Sequence, residues 1–194
     1  MAPPRLFVIS GPSGVGKSTI LRGLLETVSG LRFAVSHTTR PRRAGEVDGR
    51  DYHFVSDEEF DRLTAAGAFL EWERVHDHRY GTSRAALDGG AGDLVIEVDV
   101  KGAATLRERV PSAVSIFIGP PSFEDLRLRL AGRARESEAE VRRRLRTAEK
   151  ELPLARDYDH RLVNEDLGPT VEKVAAIVRA ARAEAPGGSG DARR

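Results

Sequence analysis

The stretch "VISGPSGVGKSTI", residues 8–20, contains Gly11, Pro12, Ser13, Gly14, Val15, Gly16, Lys17 and Ser18 in the pattern G-x-x-x-x-G-K-[ST]. Such a loop binds nucleotide phosphates. Its glycines let successive N–H groups turn toward phosphate oxygens, and the helix that follows adds its positive N-terminal end. Lys17 would reach the β- and γ-phosphates, and Ser18 would offer a hydroxyl to Mg²⁺. Motors, switches, transporters and kinases all use a cradle of this kind. The destination of the γ-phosphoryl group has to be read from the rest of the chain.

Three further groups carry possible chemistry. "SHTTRPRRAGEVDGRDYHF" holds Arg40, Arg42 and Arg43, with Tyr52 further on. It is either a solvated basic loop or a second anion site, in which arginine forks and a tyrosine hydroxyl hold a phosphate monoester. In "FLEWERVHDHRYGTS", Glu71 lies between Leu70 and Trp72. A carboxylate in apolar surroundings needs a partner. That partner is either an arginine or a base with two neighbouring N–H donors, such as the N1/N2 edge of guanine, with Tyr80 and Thr82 adding hydroxyls. Residues 131–147, "AGRARESEAEVRRRLRT", carry six arginines, among them Arg133 and Arg144. An exposed helix laced with pairs such as Glu138–Arg142 and Glu140–Arg144 accounts for most of them. One or two remain to swing over a transferring phosphoryl group.

These residues need elements to hold them. "LFVI" (6–9) is a continuous apolar run, as in a buried parallel strand. Beyond the loop, Ile20, Leu21, Leu24, Leu25 and Val28 fall on one helical face, and Gly30 stops that helix. "LVIEVDV" (94–100), "AVSIFI" (113–118) and "HRLVN" (160–164) predict further strands, separated by helices over 101–109 and 122–130 and followed by one near 169–183. Strands alternating with helices predict an α/β fold, with a parallel sheet covered on both faces. Residues 36–90 break the rhythm with short strands such as "DYHFV" and a helix near 57–66, and read as an inserted α+β lobe.

The chain has 194 residues, 40% hydrophobic and 31% charged, and 31 basic residues nearly offset 30 acidic ones. That length suits one α/β domain with inserts. The near-zero net charge gives no global field for nucleic acid. With no cysteine, thiolate chemistry, disulfides and Cys-based zinc sites are excluded. No apolar run is long enough to cross a bilayer, and the start lacks the pattern of a signal peptide. A soluble cytoplasmic protein is expected, without nucleic-acid or membrane partners, and with a Gly-rich disordered tail over 184–194.

From about Arg5 to about Ala183 the chain resembles guanylate kinase. The resemblance is carried by "SGPSGVGKST", "SHTTR" with "AGEVDGRDYHFV", "FLEW", "YGTS" and "LVNEDL". It implies ATP-dependent phosphorylation of GMP, and of dGMP, with Mg²⁺. It also implies three parts within 5–183: a phosphate-loop core (5–35, 91–130 and 148–183), a GMP-binding lobe (36–90) and a mobile lid (131–147). Carried over by position, Gly11 to Thr19 and Asn164 would bind ATP. Arg40, Arg43, Tyr52 and Tyr80 would hold the GMP phosphate, and Ser36, Glu71 and Thr82 would read guanine. Lys17, Arg40, Arg133 and Arg144 would act on the transferring group. The chain departs from the family pattern in places. Pro41 comes one place early, with Arg42 in its usual position; "DxDxQG" is "EVDVKG"; and "HRYG" replaces the commoner "NYYG". Asp99 keeps a carboxylate for guanine or for Mg²⁺-bound water. Two other readings compete: a non-catalytic module that binds phosphorylated partners, against which Lys17 speaks, and a kinase of phosphorylated sugars, which has no use for a guanine reader.

Overall fold

Leu6–Ser10 (β1) is buried at every position and leads through the glycine loop into Lys17–Thr27 (α1). Leu31–Phe33 (β2), His37–Thr38 (β3) and His53–Phe54 (β4) follow, then Asp57–Ala65 (α2), Phe69–Val75 (β5), His78–Ser83 (β6) and Ala85–Asp88 (α3). Next come Asp93–Glu97 (β7), Val100–Arg109 (α4), Val114–Gly119 (β8) and Phe123–Ala131 (α5). Glu138–Glu151 (α6), a 3₁₀ segment at Leu152–Asp157, His160–Val163 (β9) and Leu167–Ala183 (α7) close the series. The computed structural model describes residues 4–75, 77–88, 90–132 and 137–184. Arg133 and residues 185–194 of the expected tail lie outside them.

Five strands form one parallel sheet of order β2-β7-β1-β8-β9. Alternate side chains of its central strands feed two apolar cores, one on each face. Phe7, Ile9, Ile116 and Ile118 pack with Ile20, Leu24, Leu126, Val174 and Val178 from α1, α5 and α7. Leu6, Val8, Ile96 and Phe117 pack with Val100, Ala103 and Leu106 from α4. This is the expected α/β core, and it places the phosphate loop at the carboxyl end of the central strand, where open parallel sheets bind ligands.

A second sheet of order β4-β3-β6-β5 is drawn from residues 37–83. Its strands pair antiparallel except for β3 with β4. The β5–β6 register shifts between Phe69 and Glu71. This bulge breaks the alternation, so Phe69, Leu70 and Glu71 are all buried, and it re-aims side chains as bulges do. Leu70 enters the core with Val100 and Ala103 and so joins the second sheet to the first.

Several element ends follow from caps. The strand expected over 94–100 stops at Glu97, because the Asp99 carboxylate accepts from the N–H of Gly102 (2.8 Å) and starts α4 one residue early. α6 begins with a reciprocal capping box between Ser137 and Glu140 and runs to Glu151, past the expected end of the charged segment. No side chain caps the first turn of α1, and no acidic residue sits in it. The positive end of that helix is thus left to a ligand.

Candidate active site

The phosphate loop is fixed by close backbone contact. A Cβ at Gly11, whose φ is 139°, would lie 2.1 Å from the carbonyl oxygen of Ile118 on β8. Only glycine fits there. Lys17 folds back and donates to the carbonyls of Gly11 (2.6 Å) and Pro12 (3.1 Å). Burial pulls its ammonium below the usual lysine range, and the carboxylates of Glu97, Glu151 and Asp99 pull it back. Ser18 donates to Glu97 at 3.0 Å. Burial pushes Glu97 up, opposed by Lys17. Asn164 is buried and donates from its side chain to the carbonyl of Val15 (2.7 Å). From α6, Arg144 reaches the hydroxyl of Ser13 (2.6 Å). Gly14 and Gly16 complete the loop, and Thr19 is exposed in the first turn of α1.

On the second sheet the expected residues fall into two patches. In the first, Arg40 is buried and makes a two-pronged ion pair with Glu46 (2.7 and 3.0 Å). Its guanidinium lies 5.4 Å from the centre of the Tyr52 ring, which is 5.8 Å from that of Tyr80. Burial, then the charge of Glu97, raises the Tyr52 hydroxyl. Arg43 is exposed, and its backbone N–H donates to Glu46 (2.7 Å).

In the second patch, Glu71 accepts from the hydroxyl (2.6 Å) and the N–H (3.1 Å) of Thr82, whose hydroxyl is 3.4 Å from that of Ser36. All three side chains are buried. Among the described residues Glu71 has no arginine partner, so the salt-bridge alternative is not what holds it. Burial, together with the nearby charge of Asp99, pushes its carboxyl up to about 7. A Cβ on Gly102 would come within 2.8 Å of its Oε2, so a side chain there would push this carboxylate aside.

The geometry therefore provides one polyphosphate cradle, one cluster of arginine with tyrosines, and one buried carboxylate flanked by hydroxyls. Asp99 caps α4 through Gly102, and its charge bears on both Lys17 and Glu71. Comparison with known proteins bears on what this combination is. The guanylate kinase family model matches residues 3–181. The chain belongs to the guanylate kinase family. A guanylate kinase of Symbiobacterium thermophilum is 47% identical over 181 residues, covering 92% of this chain and 86% of that one. One from Thermotoga maritima is 44% identical over 183 residues, covering 93% and 88%. Among solved structures, the guanylate kinase of Anaplasma phagocytophilum is similar at a TM-score of 0.78 and 34% identity, covering 94% of this chain and 88% of that one. A gluconokinase from Sinorhizobium meliloti, at a TM-score of 0.51 and 19% identity, shares the fold alone.

Membership in the guanylate kinase family makes the chain an enzyme, a nucleotide-binding phosphotransferase. The family generally uses Mg²⁺ with its ATP, and the residues present fit that ion. The Ser18 hydroxyl and Glu97 carboxylate are hard oxygen donors at the loop. Among the described residues no cluster of three or more His, Cys, Asp or Glu forms a dedicated cage. The two oxygen donors suit an ion that keeps waters and is carried mainly by nucleotide phosphates. Glu97 and Glu151 were missed as site residues. Glu97 had a signal: it ends an apolar run at the carboxyl edge of a strand. Glu151 had none, being one acidic residue in a charged helix, yet burial, helped by the charge of Asp99 and opposed by Lys17 and Lys101, pushes its carboxyl up to about 7. No helix among the described residues is long and apolar enough to cross a membrane.

Proposed function

We propose that the chain carries out the guanylate kinase reaction, ATP with GMP to ADP with GDP, by direct in-line transfer between nucleotides held by these three groups. Lys17, Ser18 and the free end of α1 take the ATP phosphates. Arg40 with Arg43, Tyr52 and Tyr80 takes the GMP phosphate, which displaces Glu46 from the Arg40 fork. Glu71, Thr82 and Ser36 read guanine. Asp99 supports them from the cap of α4. Arg144 bears on the transferring group, as Arg133 would from outside the described residues. Residues 36–90 act as the GMP lobe and 131–147 as the lid.

The acceptor is a phosphate whose second pKa is about 6, so it is largely ionised at neutral pH and no strong general base is required. The obstacle is repulsion between two anions, and Lys17, Arg40, Arg43 and Arg144 offset it. When bound with ATP, Mg²⁺ would neutralise charge on the phosphate oxygens. The observation that carries the reading is the buried Glu71 carboxylate beside Thr82 and Ser36. Guanine's N1–H and N2–H₂ supply two donors to one such acceptor; adenine supplies neither. A site built on hydrogen bonds rejects an analogue lacking them by about 10⁴ to 10⁵. dGMP carries the same guanine edge and the same phosphate, and is expected as an acceptor as well. A coupled ADP-release assay with ATP–Mg²⁺ and GMP, dGMP, AMP, CMP or UMP tests this. Comparable kcat/KM for AMP and GMP would remove Glu71 from the role of base reader.

A further inference from the structure

Arg79 is a buried cation outside all three groups. Its side chain is only 10% exposed, although it comes from a strand of the second sheet. It donates to the carboxylate (2.7 Å) and the carbonyl (2.8 Å) of Asp57, and it is paired with Asp61. Its guanidinium lies 4.7 Å from the centre of the Phe60 ring. Asp57 and Asp61 are one helical turn apart on α2, so both carboxylates rise from one face. Arg74 stands directly opposite Arg79 in the β5–β6 ladder. Like charges so placed repel, and the two aspartates give Arg79 a reason to turn toward α2.

The backbone of Arg79 is tied to the phosphate patch. Its N–H donates to the Thr39 hydroxyl, and its carbonyl accepts from the Thr39 N–H, each at 3.1 Å. Thr39 precedes Arg40, and Arg79 precedes Tyr80. Strand alternation sends Arg79 toward α2 and Tyr80 to the opposite face, where Tyr80 meets Tyr52. We propose that Arg79 is a positioning residue, which pins α2 to the back of β6 and thereby holds Arg40 and Tyr80 where the GMP phosphate binds. The inference rests on assigning that phosphate to Arg40 and Tyr80. Arginine forks are demanding in geometry, and a displacement of about 1 Å costs roughly 100-fold in a positioned site.

The test is steady-state kinetics and thermal unfolding of Arg79→Met, Arg79→Lys, the double variant Asp57→Asn/Asp61→Asn, and Arg40→Met for comparison. Methionine keeps an apolar stem against Phe60 and removes the fork. KM for GMP is expected to rise about tenfold in Arg79→Met and kcat to fall with it, because Arg40 also acts on the transferring group, with KM for ATP within about twofold, and Arg79→Lys should recover part of the loss. The aspartate double variant, which leaves the buried side chain in place, should shift KM for GMP in the same direction and decides the matter if Arg79→Met does not fold. A lowered Tm with KM for GMP unchanged, while Arg40→Met raises it, would make Arg79 a purely structural residue. Equal rises in both KM values would do the same. If Arg40→Met leaves KM for GMP unchanged, the phosphate assignment itself falls, and the inference with it.

Discussion

Lys17 is held by the loop's own carbonyls and faced by Glu97, so its ammonium is in place before any phosphate arrives. Lys17→Ala should lower kcat by roughly 10³-fold, the scale of a lost charge-stabilising group, and circular dichroism should show the fold intact because the loop glycines remain. Glu71 adds a pH dependence. Its carboxyl sits at about 7 in the free enzyme, well above the ordinary carboxyl range, so below that pH it is mostly neutral and cannot accept both guanine donors. KM for GMP should therefore rise about tenfold per unit as pH falls below 7, and Glu71→Gln, although impaired in using GMP, should lack that part of the slope. The sign for stability is opposite. The fold favours the neutral form, so this contribution is complete below the unfolded carboxyl value and is lost as pH rises through about 7. Glu71→Gln should accordingly melt higher than the wild type at pH 8, measured by calorimetry.

Among the elements, α6 has the clearest division of labour. Val141, Leu145 and Ala148 pack on the core while Arg144 reaches Ser13. Arg144→Ala should lower kcat more than it raises KM for GMP, as expected for a group that acts on the transferring phosphoryl and not on the bound acceptor; a change confined to KM would move Arg144 to the acceptor side. The elements also show what the sequence could and could not tell. β1, the glycine loop and α1 were legible because their signals are local: an apolar run, a fixed spacing, one helical face. β5 and β6 were not legible as a ladder, because the bulge at Leu70 hides the alternation and puts three consecutive residues inside. Glu71 was legible as a carboxylate in need of a partner and Thr82 as a hydroxyl beside it, but the direct bond between them was not, since it depends on the β5–β6 register. Glu97 had a signal at the end of its strand, but its contact with Ser18 follows from β7 lying beside β1. The role of Arg79 needs a helix and two strands together.

In the molecule as a whole, the phosphate loop is a late product of an early sequence. β1 sits at the centre of its sheet, paired with β7 on one side and β8 on the other. Gly11 rests on Ile118, Asn164 holds the Val15 carbonyl, and Gly23 of α1 lies against Val171 of α7. None of these supports is a sequence neighbour, and such long-range parallel pairing is slow to form. At ribosomal speed, roughly ten to thirty seconds separate synthesis of the loop from synthesis of α7. Throughout that interval the nascent chain carries the complete nucleotide motif and no platform to display it. Stalled nascent chains that end before β8 should fail to retain ATP on an affinity matrix, and those exposing α7 should retain it. A growing chain in this way completes its donor-nucleotide site last, after residues 36–90 of the acceptor lobe have already been made.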